Sequence, residues 1–255
     1  MIIRFGSLLL PALLLMQPSS AKPADNWDFV LAPYFLAPTI QGEAGAGRFL
    51  NGAGVDVDTR DILEALDLGG MIHAEVRHSS GFGVIVDYAF MDLSSESSGP
   101  LLPGTTIKGD VFQGTLEAYG SYRFDLSDHK LDLYAGIRWW DIDVEVSRRG
   151  APGPGELFDG GDDWVDPVIG TRWVAEWWPG WRISLAGDLG GFGAASDFSA
   201  NAQVLAIYDA WENVSFALGY RVLSVDYDND EGGTPGFFAY DTVTHGPMAG
   251  VLLRF

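Results

Sequence analysis

Seven arginines and six carboxylates of this chain fall on positions that alternate with apolar residues. The cations are Arg77, Arg123, Arg138, Arg172, Arg182, Arg221 and Arg254; the anions are Glu75, Asp87, Glu117, Asp166, Glu176 and Asp188. A period of two sends successive side chains to opposite faces of a β-strand, so these charges share one face and the apolar residues the other. Charges confined to a narrow interior have to pair, because a buried unpaired charge is very costly. Such a set can do one of two things: hold an interior shut as a salt-bridge plug, or line a narrow pore or ligand pocket. If it is a plug, Arg138→Ala or Arg172→Ala should loosen the interior and raise single-channel conductance.

Other candidates for chemistry are weaker. Asp226, Asp228, Asp230 and Gly232 resemble a fragment of a calcium loop, but the glycine comes one place late and Phe237 stands where the closing acid belongs. A loose divalent-cation contact is the most they offer. Of the histidines, His73 is expected on the charged face and His78 and His129 at short turns. Only His245 approaches the opposite rim, with Asp241 four residues before it and Asp141 and Asp143 as possible rim carboxylates. Gly42, Gly45 and Gly47 lack the Lys-Ser/Thr of a phosphate loop. No cofactor is expected.

The elements that position these residues are strands. Ten segments alternate in this way, joined by connections that are short and long in turn. Residues 79–81, 125–130, 178–180 and 209–213 make short turns; residues 43–67, 94–106, 143–163 and 226–238 make long loops, with a moderate one at 190–198. The first strand spans 27–42 and the last 240–255. In the last, Leu253, Val251, Ala249 and Pro247 oppose Arg254, Leu252, Gly250, Met248 and Gly246. Leu205 and Ile207 blur the alternation of the eighth. Residues 58–66 read as one short helix in the first long loop, N-capped by Asp58 with Ile62 and Leu66 on one face. An even number of strands with short turns at one end and long loops at the other is the layout of an antiparallel up-and-down transmembrane β-barrel of about ten strands. Barrels of about 8 strands are filled by side chains while 16–18 leave a channel, so the lumen should be largely occluded. Eight or twelve strands remain open, as does a soluble barrel, although that would need its apolar face inside.

Composition agrees. The chain has 255 residues and a net charge of -20, which disfavours nucleic acid as a partner. It has no cysteine, so disulfides and thiolate sites are excluded. Gly 33 and 13% aromatic residues suit curved strands and interface rings. Trp27, Trp177, Trp178, Trp181 and Trp211 fall beside the short turns, whereas the acids gather in the long loops: Asp56, Asp58, Asp61 and Glu64, then Glu156, Asp159, Asp162 and Asp163, then the 226–231 run. Arg4, the apolar run 8–16 and Ser19-Ser20-Ala21 read as a signal peptide over 1–21, with an uncleaved anchor as the alternative; the barrel domain is then 22–255.

The stretches VDVDTRDILEALD, VIVDYAFMDLSSE, YAGIRWWDI, DWVDPVIGTRW, GDLGGFGAASDF, GYRVLSVDYD and HGPMAGVLLRF, in this order, resemble a family of uncharacterised proteobacterial outer-membrane β-barrel proteins. The resemblance implies an outer membrane with both termini periplasmic, and partners in membrane lipid and lipopolysaccharide. The closing strand resembles those that end on a Phe read by the outer-membrane assembly machinery, a role that falls here to Phe255. The family brings no activity with it. Ten-stranded outer-membrane proteases carry an Asp-x-His pair that is missing here, and no His-x-Ser pairing of the lipid A deacylase kind is expected, so the chain reads as a non-enzyme. The expected role is structural or binding; the alternatives are a narrow channel for small solutes and a surface adhesin or receptor acting through the acidic loops.

Overall fold

The computed structural model describes residues 26–47, 50–98, 105–150, 153, 155–229, 231–232, 234 and 236–255. The segment expected to be a signal peptide and Asp230 lie outside the described residues. Strands β1 (Trp27–Leu36) and β2 (Thr39–Ala46) are two halves of one path, separated at Ala37-Pro38. Proline has no N–H to give to a ladder, and the chain stays attached there through Ala37, whose N–H donates to the Pro247 carbonyl at 2.9 Å. β3 (Leu50–Val57) folds back on β2, and helix α1 (Thr59–Ala65) follows. Nine long strands then run antiparallel: β4 (Leu66–His78), β5 (Phe82–Ser98), β6 (Thr106–Leu126), β7 (His129–Arg149), β8 (Gly155–Trp178), β9 (Trp181–Gly190), β10 (Phe198–Trp211), β11 (Val214–Asp228) and β12 (Phe238–Arg254).

The sheet closes on itself. β12 pairs with β1, Val30 opposite Arg254 and Leu36 opposite Met248, and β1 pairs on its other edge with β4. Counting β1 and β2 as one path, the ring has ten strands, with β3 as an extra hairpin arm on β2. Closure matters because an open edge in lipid leaves backbone groups with no partner.

The two faces are the reverse of a soluble barrel. On β5, Phe82, Val84 and Val86 are 64%, 53% and 38% exposed, while Ile85 and Asp87, which alternate with the last of them, are buried. Leu133, Ile137, Ile169, Leu185 and Leu218 repeat the outward apolar pattern on other strands. The blurred register of β10 resolves: Val204 and Tyr208 face out, and Ile207 points in and is buried. The five tryptophans named above are all exposed. Three of them flank tight turns, including 178–181, where Gly180 takes a positive φ of 78° that a side chain would disfavour.

Three of the expected loops prove to be largely strand. β2 and β3 occupy much of 43–67, β5 runs on to Ser98, and β7 and β8 stay paired from Trp140 opposite Trp164 up to Arg148 opposite Gly155. Val144 and Val146 keep the period of two going among the acids of 143–163, which is why the ladder does not stop where the apolar outer band stops. The helix forms where its cap predicts. The Asp58 carboxylate accepts from the N–H groups of Arg60 and Asp61 at 2.9 and 3.0 Å. Its Ile62 is buried between Ile40 of β2 and Met91 of β5. Met91 lines the lumen, so α1 covers the seam that opens between β2 and β5 above the end of β1.

Candidate functional site

The interior is built in three levels. At its middle lies an ion-pair network. Arg138 of β7, fully buried, donates to Glu117 on β6 at 3.0 Å and to Asp188 on β9 at 2.7 Å. Glu117 also takes a 2.6 Å bond from Arg221 of β11, across the barrel. Gly136 of β7 lets the backbones of β6 and β7 approach closely here: a Cβ on it would stand 2.1 Å from the Ala118 carbonyl oxygen. Next to this set, Arg172 of β8 binds Glu75 of β4 through both terminal nitrogens and Asp132 of β7 through Nε at 2.9 Å and Nη2 at 2.7 Å. Arg123 closes a fork on the same Asp132 at 2.6 and 2.7 Å, and Arg77 reaches Glu75 at 3.2 Å. His73 joins the two sets: its ring nitrogens lie 2.9 Å from Asp87 and 2.9 Å from Glu75. Asp87 in turn accepts from the Tyr34 hydroxyl at 2.7 Å. Charge-assisted bonds across seven strands, several of them forked, fix the lumen geometry far more rigidly than apolar packing would.

Towards the long-hairpin end the lumen turns aromatic. Trp140, Trp164 and Tyr227 stack in series, with ring centroids 5.7 and 3.8 Å apart, and Phe238 and Tyr240 pack beside them. A connection folds in to complete the layer. Residues 191–197 between β9 and β10 place Ser196 at full burial, held by Asp166, which accepts the Ser196 N–H at 2.9 Å and its hydroxyl at 2.8 Å. The Trp140 indole donates to Asp166 at 3.2 Å, and the Trp164 indole donates to the Ser196 hydroxyl at 2.8 Å. Gly191 makes this inward path possible: it has a φ of 80°, and a Cβ on it would stand 2.7 Å from the Ser196 carbonyl oxygen.

Towards the short-turn end the lumen opens instead. A cavity of about 400 Å³ reaches from the ion-pair network to a mouth where Asp28, Lys130 and Phe255 are exposed. Its walls differ. Strands β4 to β9 supply most of the arginines and carboxylates; β10, β11 and β12 supply Leu205, Ile207, Ala217 and Leu252 together with Asn201, Gln203, Arg221 and Arg254.

Set against the thirteen charges predicted to share the lumen, the structure brings together Glu75, Arg77, Asp87, Glu117, Arg123, Arg138, Arg172, Asp188 and Arg221. Four stand apart. Asp166 is buried but pairs with no cation; it anchors the inward connection instead. Glu176 sits at the bulge before Trp178, exposed, and joins no ion pair. Arg182 and Arg254 form a separate patch, both bonded to Asp209 near the short turns. Asp132 and Asp209 carry much of the pairing and were not among the predicted set. Asp132 lies one step of the same period below Tyr134, so its signal was present at the end of a strand read as starting at Leu133.

The other candidates do not assemble. Among the described residues no group of three or more His, Asp or Glu side chains is placed to hold a metal, and of the three acids in the calcium-like fragment only Asp226 and Asp228 are described. Asp226 stands opposite another acid, Asp241. His245 is not at a lumenal rim: it packs on the outer face, Nδ1 2.7 Å from the Tyr220 hydroxyl. A His-x-Ser contact of another kind is present at the turn between β4 and β5. His78 Nδ1 lies 2.7 Å from the Ser80 hydroxyl, but it also accepts the Ser80 N–H, so the histidine serves to cap a tight turn.

No protein-family model matches the chain, and no curated protein matches it. Solved structures do. The outer membrane protease OmpT from Escherichia coli is 8% identical with a TM-score of 0.55, over 91% of this chain and 98% of that one. The fold is that of an outer-membrane β-barrel. The translocator domain of the autotransporter NalP from Neisseria meningitidis is 9% identical with a TM-score of 0.51, over 92% of this chain and 90% of that chain. At such identities the likeness concerns the path of the chain alone. One neighbour is a protease and the other a translocator, and the barrel serves both.

Proposed function

We propose that this chain is an integral outer-membrane protein, of the uncharacterised proteobacterial kind it resembles in sequence, with a structural or binding role and a lumen closed to solute flow. The observation that carries the reading is the double closure of the lumen. The Arg138–Glu117–Arg221 pairing spans it at mid-height, and the Trp140–Trp164–Tyr227 stack with the Ser196 connection fills it above. A ten-strand barrel is narrow to begin with, and two filled layers in series support a lumen closed to solutes. The apolar outer face supports a lipid environment, and the short turns and exposed tryptophans support termini on the periplasmic side. Lipopolysaccharide then meets the outer faces of the long hairpins. Phe255 is 67% exposed at the end of a strand already paired through Phe29, which suits a residue read by the assembly machinery. No residue set among those described carries a hydrolytic arrangement, and the reading is of a non-enzyme.

The test is a liposome-swelling assay on the refolded mature chain beside a general porin. Swelling in a small sugar at the lipid-only rate supports a closed barrel. Swelling at a rate approaching the porin's would mean a solute channel, and a soluble periplasmic chain with no heat-modifiable gel mobility would remove the barrel reading altogether.

A further inference from the structure

Within this closed-barrel reading, the cavity at the short-turn end has the properties of a binding site. We infer that it takes a small amphipathic anion: one carboxylate or phosphate group on an apolar body. The first argument is charge. The chain as a whole carries -20, yet its cationic side chains converge on this chamber. Arg77, Arg123 and Arg172 share Glu75 and Asp132; Arg182 and Arg254 share Asp209; Lys130 has no ion pair among the described residues. Six cations therefore meet three carboxylates. The deeper acids Asp87, Glu117 and Asp188 are met by His73, Arg138 and Arg221. The further acids at the rim are Asp28, Asp125 opposite Lys130, Glu176 opposite Arg182 and the chain-terminal carboxylate; all are exposed, and none forms an ion pair with these cations among the described residues.

Unused donors point the same way. Arg182 spends Nε and Nη2 on Asp209, and Arg254 gives it only Nη2. Their remaining N–H groups and the Lys130 ammonium are the uncommitted donors of the chamber. An arginine fork with free N–H groups recognises carboxylate and phosphate oxygens through short, charge-assisted bonds.

The second argument is shape and polarity. About 400 Å³ lies in the range of pockets that hold small organic molecules, and an inorganic ion alone would leave most of it empty. The wall from β10 to β12 holds Leu205, Ile207, Ala217 and Leu252, the second and third of them buried, beside the polar Asn201, Gln203, Arg221 and Arg254. The four apolar residues are the ones that break the charged period on the inner face. With Val30, Ala32 and Ile85 they give the cavity apolar surface that an apolar ligand body would cover. The aromatic layer closes the far end, so the ligand enters and leaves on the same side.

The test uses 4-butylbenzoate and its neutral amide as probes, with calorimetric titration of the whole mature barrel in nanodiscs and empty nanodiscs as the blank. The acid should bind, and the amide about tenfold or more weakly. Lys130→Gln and Arg254→Gln should each weaken the acid. Lys130 has no partner to lose, so that variant keeps the fold, checked by heat-modifiable mobility. Equal binding of acid and amide, or no change in either folded variant, would overturn the anion site. Inorganic phosphate that binds as tightly as the acid would overturn the apolar half of the inference. Closure is measured separately by swelling, so a closed barrel that binds neither probe refutes the site and leaves the closed-barrel reading standing.

Discussion

The two ends of the lumen solve opposite problems with different materials. At the long-hairpin end, closure comes from stacked rings and one inward connection, and its single buried acid, Asp166, is satisfied by N–H and O–H donors without a cation. Towards the short-turn end, the interior is held by arginines that outnumber their carboxylates and leave a cavity between them. Between the two, the Arg138 set is buried and ion-paired, with Arg138 Nη1 left without a hydrogen-bond partner among the described residues. Satisfied polar groups in a dry layer make a rigid barrier, whereas a surplus of charge beside water makes a surface that still has something to bind. The same barrel thus presents a sealed face to one side and a receptive one to the other.

Substitutions can break this contrast in graded steps. Arg138→Met should have the largest effect, because it leaves Asp188 without a cation and Glu117 with Arg221 alone in a dry layer; a loss of about 3–5 kcal/mol is expected, read as a lower urea midpoint in lipid vesicles. Trp164→Ala removes the ring between Trp140 and Tyr227 and should cost about 3 kcal/mol by the same measurement, with partial relief as water enters the gap. Asp166→Ala unlatches the 191–197 connection at a cost of about 2 kcal/mol, and its sharper signature is protease cleavage within 191–197 that the wild type resists. Arg182→Gln, at the wet end and partly exposed, should shift the midpoint by less than about 1 kcal/mol. An Arg182 effect as large as that of Arg138 would erase the distinction between the two regions.

Much of the barrel was legible in the chain, and the reasons are physical. A strand with lipid outside and charge inside cannot slip by one residue without exposing every charge to lipid, so Arg138, Glu117 and Arg221 declare their face. The Asp58 cap likewise marks α1 before any packing is known. What was not legible depends on contacts between distant segments. Ser196 lies in a connection without periodicity, and nothing local shows that Asp166 will take it instead of Arg138, its cross-strand neighbour. Asp209 reads as a turn residue until Arg182 and Arg254 arrive from other strands. The extended hairpins were mistaken for loops because acids such as Asp159 and Asp162 signal solvent, and solvent is compatible with a ladder that has left the membrane.

The layered lumen also revises one expectation. From sequence, loss of Arg172 alone should raise conductance. With the aromatic layer above it intact, Arg172→Ala should widen only the chamber and leave the current at baseline. The decisive measurement is therefore single-channel recording in planar bilayers of the wild type, Arg172→Ala, and a variant combining Arg138→Ala, Trp164→Ala and removal of the Asp166 latch by Asp166→Ala. The account predicts a silent wild type, a silent Arg172→Ala, and stepwise ohmic current in the combined variant as far as it folds. Steady ohmic steps from the wild-type barrel would contradict it.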